Sequence, residues 1–541
     1  MFFRNFSVAA LVSVLASGVW YYRQDSSIDT RSGINGTAPL SGIHTVSQQL
    51  PANTPPPLPA PQSSETLPIS NDVAAQTKTV IPVDDENFYL AEIEDRPLVK
   101  QVEDEGAARM EKLSPEQATQ RLRRLEKSYS VGRGRGVVRY DLVQIPSNNP
   151  IEDDHAEKIV DISQNVTPAQ ADGSSNDWMF WGVFDGHSGW TTSAKLRQQL
   201  ISYVTWELNT VYKSAVTDPS INIPSPLSVN EAIKRGFLKL DNDIVHTSVQ
   251  LAMSKKGKAA STELLAPALS GACALLSFYD SSSKLFRVAC TGDSRAVLGR
   301  KGVSGKWTAT PLSEDQTGGT PSEIERLRKE HPGEKEVTLN GRILGSLEPS
   351  RAFGDAVYKW SKDTQSQIRQ RFFGRSPSPR LKTPPYVTAE PIITTTKIEP
   401  ESGDFVVLAT DGLWEMLTNE EVVGLVGRWI EKQQNASSGS SPLAWAKYLA
   451  GRSDSSLPVE RLQIVAQGEE GQRAPIRQEQ WSIAEGDDRF VTEDKNVATH
   501  LVRNALGGRD RDMVCSLLSL VSPYSRRYRY VIMHKDLVKL I

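Results

Sequence analysis

Residues 176–189 read NDWMFWGVFDGHSG. Trp178, Met179, Phe180, Trp181, Val183 and Phe184 make an apolar run that stops on Asp185, Gly186 and His187. A run of this length and composition reads as a buried strand. The pattern recurs at 405–415, FVVLATDGLWE, where an apolar strand ends on Asp411 and Gly412. A carboxylate at the end of a strongly apolar strand is costly unless a cation faces it. Two more acidic features join the set: Glu152, Asp153 and Asp154 side by side in SNNPIEDDH, and Asp293 in the hairpin LFRVACTGDSRAVLG. Each has an ordinary reading alone. Asp-Gly is a common turn dipeptide, an acidic triplet is usually a solvated loop, and a hairpin aspartate can stabilise its own turn. The combination is what points to a metal site.

An aspartate on a rigid strand end can bridge two divalent ions about 3.5–4 Å apart. A glycine beside it exposes its carbonyl as a further oxygen ligand and lets the chain turn sharply. Histidine one position on can donate a proton to a leaving group, because its intrinsic pKa is near neutral. Composition narrows the metal. The chain has 541 residues, three cysteines (Cys273, Cys290 and Cys515) and seven scattered histidines. A disulfide framework, a Cys-x-x-Cys zinc site and a histidine cage are thereby excluded, and carboxylate ligands imply a hard ion, Mg or Mn. A formal net charge of −3 argues against nucleic acid as a partner. The sequence holds no Gly-x-Ser-x-Gly elbow and no Cys-x5-Arg phosphatase loop, and VGRGRGVV lacks the Gly-Lys-Ser/Thr ending of a phosphate loop.

The N-terminal MFFRNFSVAALVSVLASGVWYYRQ is uncharged from Phe6 to Tyr22 and bracketed by Arg4 and Arg23. Its length is the lower limit of a membrane span, and Trp20-Tyr21-Tyr22 suits a membrane interface. We read 1–25 as a targeting or membrane-anchor segment; a secretory signal ending near Ala16-Ser17-Gly18 is the rival reading. Residues 26–110, with PANTPPPLPAPQSSETLP, read as a disordered Pro/Ser/Thr-rich linker. A folded domain is expected over 111–529. It opens with a helix in SPEQATQRLRRLEKSY, with Ser114 as N-cap and Pro115 in the first turn, and a first strand in GVVRYDLVQIPSN. Further helices are expected at 191–214, 229–252 and 321–331, and strands at 177–184, 272–279, 284–290, 295–299 and 405–410. Paired helices between groups of strands favour an α+β layered fold. A Ser-, Gln- and Glu-rich stretch at 433–490 reads as a surface insertion.

WGVFDGHSG, SGACALLSF, ACTGDSRAVLG, SRAFGD and ATDGLWE, in that order, resemble the motif set of the metal-dependent type 2C Ser/Thr protein phosphatases. SNNPIEDDH, and LSEDQTGGTPSEIERLRKEHP followed by GRILGSLEPSRAFGD, look like the branch that includes mitochondrial pyruvate dehydrogenase phosphatase. The resemblance covers roughly residues 130–529. It implies a β-sandwich of two antiparallel sheets flanked by helices, in four layers α-β-β-α, with two Mg2+ or Mn2+ ions and a weaker third. It further implies that Asp185 bridges the two ions, Gly186 offers its carbonyl, and Asp411 binds on the other side. Glu152 would orient metal-bound water with Asp153 beside it, Asp293 would help hold the third ion, and His187 would be the general acid. The implied reaction is hydrolysis of phosphoserine or phosphothreonine on a phosphoprotein by a metal-activated water. The branch implies the pyruvate dehydrogenase complex as substrate and a mitochondrial location, and the Phe6–Tyr22 segment adds a membrane anchor; the secretory-pathway membrane is the alternative. Many family members place an arginine at the substrate phosphate, four residues before the glutamate. That position is Asn148 here, as in the pyruvate dehydrogenase phosphatase branch.

The C-terminus departs from the family. Type 2C phosphatases close with Asp-Asn or Asp-Asp and an apolar strand, and in this branch the pair follows a run like SRRYR. Here Arg529 is followed by Tyr530, in SPYSRRYRYVIMHKDLVKLI. The closing strand is therefore expected to be absent, leaving 530–541 as a divergent tail and the ion at Asp411 without a carboxylate partner. Asp510 and Asp512 precede a helix and substitute poorly by position, while Asp536 lies in the tail. A second reading follows: a catalytically impaired phosphatase-like binding or regulatory protein.

Overall fold

Alternation along the 176–187 run sets the architecture. In the computed structural model this run is one long strand, belonging to one of two antiparallel sheets. In chain order the strands are β1 Lys127–Ser130, β2 Arg139–Ile145, β3 Asp154–Ile162, β4 Asn176–His187, β5 Gly271–Asp280, β6 Leu285–Thr291, β7 Arg295–Lys301, β8 Trp307–Pro311, β9 Ile392–Lys397, β10 Phe405–Ala409 and β11 Asp536–Leu540. One sheet runs β8-β7-β10-β11-β2-β1 and the other β9-β6-β5-β4-β3, with Phe353–Gly354 beside β5. The structure describes residues 78–83, 91–93, 108–133, 136–162, 176–217, 224–254, 257–372, 374–437, 456–460, 475, 486–521, 525 and 536–540. The segment 1–25 lies outside the described residues, among which no helix is long and apolar enough to cross a membrane.

Successive side chains of a strand point to opposite faces. On β4, Met179, Trp181 and Val183 face the other sheet and pack with Leu275, Val288, Ala296, Leu298, Val406 and Leu408. Trp178, Phe180 and Phe184 face outward onto the helices Thr191–Thr217 and Pro226–Asn242, against Leu200, Val204, Ile233 and Phe237. The second sheet behaves likewise: Val143, Val297, Val407 and Ala409 pack on the helices Asn419–Ser437, Val497–Ala505 and Arg511–Ser519. Each fully buried large side chain contributes on the order of 1.5–3 kcal/mol. The outcome is the expected α+β sandwich in four layers.

The expected first helix, Pro115–Arg123, is closed by a reciprocal capping box. Gln117 N–H donates to Ser114 Oγ at 3.3 Å, and Ser114 N–H donates to Gln117 Oε1 at 2.9 Å. The single helix expected over 229–252 is instead Pro226–Asn242 and Ser248–Ser254, joined by a π-helical turn at Asp243–Thr247. Tyr203 Oη donates to Asp243 Oδ2 at 2.6 Å at that turn.

Three expectations need correction. The closing strand is present. Asp536–Leu540, in the divergent tail, forms β11 between β10 and β2, with Val538 opposite Ala409 and Val143. Ladder hydrogen bonds come from backbone groups, so DLVKL can fill a slot whose emptiness would leave two open edges. Second, the linker 26–110 is not structureless throughout: Lys78–Val83, Ala91–Ile93 and Ala108–Glu111 form a three-stranded antiparallel sheet. The low-complexity composition of the segment masked the short β-branched run KTVIPV. Third, the 433–490 stretch is not wholly superficial. Leu457 and Val459 are buried in the helix-side core, and Pro458 O accepts from Trp307 N–H at 2.9 Å.

His500 on the Val497–Ala505 helix gives this core a pH dependence. Its Nε2 lies 3.2 Å from Leu425 O, and Asn504 Nδ2 lies 3.2 Å from its Nδ1. Burial lowers its pKa to about 4 against an opposing pull from Asp494. The folded state thus keeps the ring neutral where the unfolded chain, with its ordinary value near 6.5, binds a proton. Stability from this group is complete above about pH 6.5 and is lost as pH falls toward 4. Between pH 7.5 and 5.0 the loss is about 2 kcal/mol. In urea unfolding at the two pH values, His500→Leu should shed that much of the wild-type decline; an equal decline in both proteins would exclude His500 as its source.

Candidate active site

Three strand ends converge at one end of the sandwich. Asp185 follows Met179, Trp181 and Val183 on the row of β4 that faces the other sheet, with Cys273 as its register partner on β5. Asp293 sits in the turn between β6 and β7. Gly292 before it has φ +110°, and a Cβ there would lie 2.3 Å from Cys273 Sγ, so the turn requires glycine. Asp411 begins the short helix Asp411–Trp414 directly after β10. The sheets thus bring residues far apart in sequence to one point: Asp185, Asp293 and Asp411 each present a carboxylate oxygen within 4.8 Å of the others.

Asp185 and Asp293 are buried. Carboxylates this close, away from water, repel strongly. The Cys273 thiol registers the field: burial, then the charges of Asp293 and Asp185, push its pKa well up. Its Sγ donates to Asp293 Oδ1 at 3.2 Å. Asp293 and Asp411 share a small cleft with Arg295, Asp315, Thr317, Trp414 and Glu415. The buried Arg295 guanidinium is engaged by Asp315 through two contacts of 3.0 and 2.6 Å and by Asn419 Oδ1 at 3.0 Å, and it lies over the Trp414 ring. Three converging oxygen donors suit a hard divalent cation, so the residues present fit Mg2+ or Mn2+.

Glu152 and Asp153 flank this group at the other side of β4. Asn148 Nδ2 donates to Glu152 Oε2 at 2.5 Å, and Gly189 N–H donates to Glu152 Oε1 at 2.7 Å. Ser193 Oγ donates to Glu152 O. Gly186 N–H donates to Asp153 Oδ1 at 3.1 Å. The backbone approach is close: a Cβ on Gly186 would lie 2.1 Å from Glu152 O. Asp154, the last of the acidic triplet, instead pairs with Arg197 at 3.3 Å, and burial raises its pKa. The family resemblance puts Asn148 in the substrate-phosphate region; in the structure its amide donates to Glu152, four residues on, because the loop folds back on itself there.

His187, at the end of β4, turns toward Asp355, with Nε2 2.6 Å from Asp355 Oδ2. Sequence reasoning gave no role to Asp355, Asp315 or Arg295. SRAFGD offers a usable signal, since Gly354-Asp355 repeats the glycine-then-aspartate order of Gly292-Asp293 after apolar residues; Asp315 and Arg295 carry none beyond their charge.

A family model described as Protein phosphatase 2C matches residues 152–451. The chain is 45% identical over 422 residues to the mitochondrial [pyruvate dehydrogenase [acetyl-transferring]]-phosphatase 1 of Saccharomyces cerevisiae, covering 75% of this chain and 69% of that one. It is 41% identical to a protein phosphatase 2C homolog of Schizosaccharomyces pombe, covering 76% and 82%. Against the human mitochondrial [pyruvate dehydrogenase [acetyl-transferring]]-phosphatase 1 it is 30% identical, covering 77% and 81%.

The close packing at Gly186 makes a specific prediction. Gly186→Ala should push the Glu152 carbonyl away and weaken Mn2+ binding at least about 10-fold by calorimetric titration, in line with losses seen when groups supporting a metal site are displaced. Unchanged Mn2+ affinity would show that the 152–154 loop and β4 need not touch for the site to form.

Proposed function

The chain belongs to the protein phosphatase 2C family and is a metal-dependent protein serine/threonine phosphatase, and we propose that it acts in mitochondria on a phosphoserine or phosphothreonine of the pyruvate dehydrogenase complex. The single observation that carries the site assignment is the convergence of Asp185, Asp293 and Asp411. The names of the relatives from S. cerevisiae and human support the substrate and location.

In this reading Asp185, Asp411 and the Gly186 carbonyl would hold two Mg2+ or Mn2+ ions, and Asp293 would help hold a weaker third. When bound, such ions supply positive charge that activates water and offsets the phosphate's charge. Asn148 and Gly189 N–H fix the Glu152 carboxylate at the edge of the site. Asp153 accepts the Gly186 N–H and so fixes the Asp185–Gly186 peptide, the backbone unit between the two residues read as ligands. His187 delivers a proton to the serine or threonine oxygen as it leaves, which spares that oxygen a full alkoxide charge. Apolar walls of Trp181, Val183 and Leu408 behind the carboxylates keep water out and the strand ends rigid.

The rival reading, an impaired phosphatase-like binding protein, started from a missing closing strand. β11 occupies that place, and Asp536 stands two positions before Val538, at the level where β10 gives way to Asp411. The enzyme reading is therefore the stronger one. Its test is turnover of a phosphothreonine peptide with Mn2+. Phosphate-monoester hydrolysis is extremely slow uncatalysed, so Asp185→Asn should lower kcat at least about 1,000-fold. Turnover of Asp185→Asn near wild type would refute the assignment.

The uncharged Phe6–Tyr22 segment supports tethering to a membrane. Removal of residues 1–24 should move the protein to the soluble fraction after carbonate extraction and leave phosphatase activity in place. Full-length protein found wholly soluble would refute a stable span.

A further inference from the structure

We infer that Asp355 is a positioning residue for the proton-donating histidine, an inference that rests on the general-acid role proposed above for His187. The contact is short and sheltered: His187 Nε2 lies 2.6 Å from Asp355 Oδ2, with the side chains 19% and 6% exposed. The backbone is built around it. On β5, Gly271 is the register partner of His187 on one side and of Gly354 on the other. The two side chains meet directly over Gly271. A Cβ there would lie 2.2 Å from His187 Nε2 and 2.3 Å from Asp355 Oδ2. No residue with a side chain fits beneath the pair.

The turn that presents Asp355 is held from several directions. Gly354 has φ +67°, and a Cβ there would meet Ser270 O at 2.4 Å. Asp355 itself is left-handed, at φ 48° and ψ 37°, a conformation that aspartate tolerates better than most residues. Asp355 N–H donates to Ser270 O at 2.9 Å. Gly354 N–H donates to Asp241 Oδ1 at 2.9 Å, and Lys359 Nζ grips Asp241 at 2.8 and 2.7 Å and Ala352 O at 2.8 Å. An arrangement this constrained serves the placement of one carboxylate. A carboxylate accepting from one ring nitrogen fixes the plane and tautomer of an imidazole. Asp355 thus sets the direction in which His187 can deliver its proton.

A general acid matters most when the leaving group is a poor one, so leaving-group dependence separates a positioning role from a structural one. Full-length protein with Mn2+ is assayed on a phosphothreonine peptide and on 2,4-dinitrophenyl phosphate, whose leaving group needs no proton. Wild type, His187→Gln, Asp355→Asn and Asp355→Ser are compared. Asp355→Asn and Asp355→Ser should lower kcat on the peptide about 10–100-fold, within the worth of general-acid catalysis, with KM little changed and a several-fold smaller loss on the aryl ester. His187→Gln should show the same selectivity more strongly. Should His187→Gln be selective while the Asp355 variants lose both activities equally, or neither, the positioning role is overturned. Should His187→Gln itself show no selectivity, the general-acid reading fails and the role of Asp355 goes with it. Failure of both Asp355 variants to fold would make the residue structural and also overturn the inference.

Discussion

Mutual repulsion among Asp185, Asp293 and Asp411 is the constraint on which the rest of the structure depends. Their oxygens lie within 4.8 Å of one another at the mouth of an apolar sandwich. Nothing in a hydrophobic core favours that arrangement. It is sustained by the rigidity of β4 and β10 and by the glycines that allow close backbone approach, and in the function proposed above shared cations would offset the repulsion. The large apolar residues behind them act as an anchor for a local configuration that is unfavourable by itself.

The supporting groups form a ring around that centre. On one side the loop before β3 folds back, so that Asn148 and Gly189 hold Glu152 while Asp153 ties down Gly186. On another, Arg295 clamps Asp315 and Asn419 between the hairpin that bears Asp293 and the helix that follows Asp411. Asp241 and Lys359 brace the turn of Asp355 from beneath. Apart from the local contact of Asn148 with Glu152, these contacts join segments distant in sequence, so the site exists only when both sheets have paired and the helices have docked.

Much of this was legible in the sequence, unevenly. β4, β5, β6, β7 and β10 were visible because apolar runs bounded by Gly and Asp have few other readings, and the carboxylates at their ends were visible for the same reason. Partnerships were not. That His187 would turn to Asp355 depends on register across β4, β5 and the 353–354 strand, which no local pattern encodes, and that Asn148 would turn to Glu152 depends on how their loop folds back on itself. The tail misled in the opposite direction. DLVKL lacks the residues expected of a closing strand, yet sheet pairing draws on backbone groups, and a vacant slot between β10 and β2 accepts an extended segment on those terms. Leu457 and Val459 misled similarly, because two apolar residues in a polar stretch are too few to alter its average composition.

Thermal unfolding of the wild type and of Asp411→Asn, each in EDTA and in MnCl2, tests the central claim most directly. If three carboxylates are held together against their repulsion by divalent cations, Mn2+ raises the wild-type Tm by several degrees, as expected of a ligand that binds only the folded state. Asp411→Asn then melts no lower than the wild type in EDTA, because one repelling charge is gone, and loses most of the Mn2+ shift. A wild type indifferent to Mn2+, together with an Asp411→Asn variant less stable than it in EDTA, would contradict the account and make the three aspartates a structural cluster.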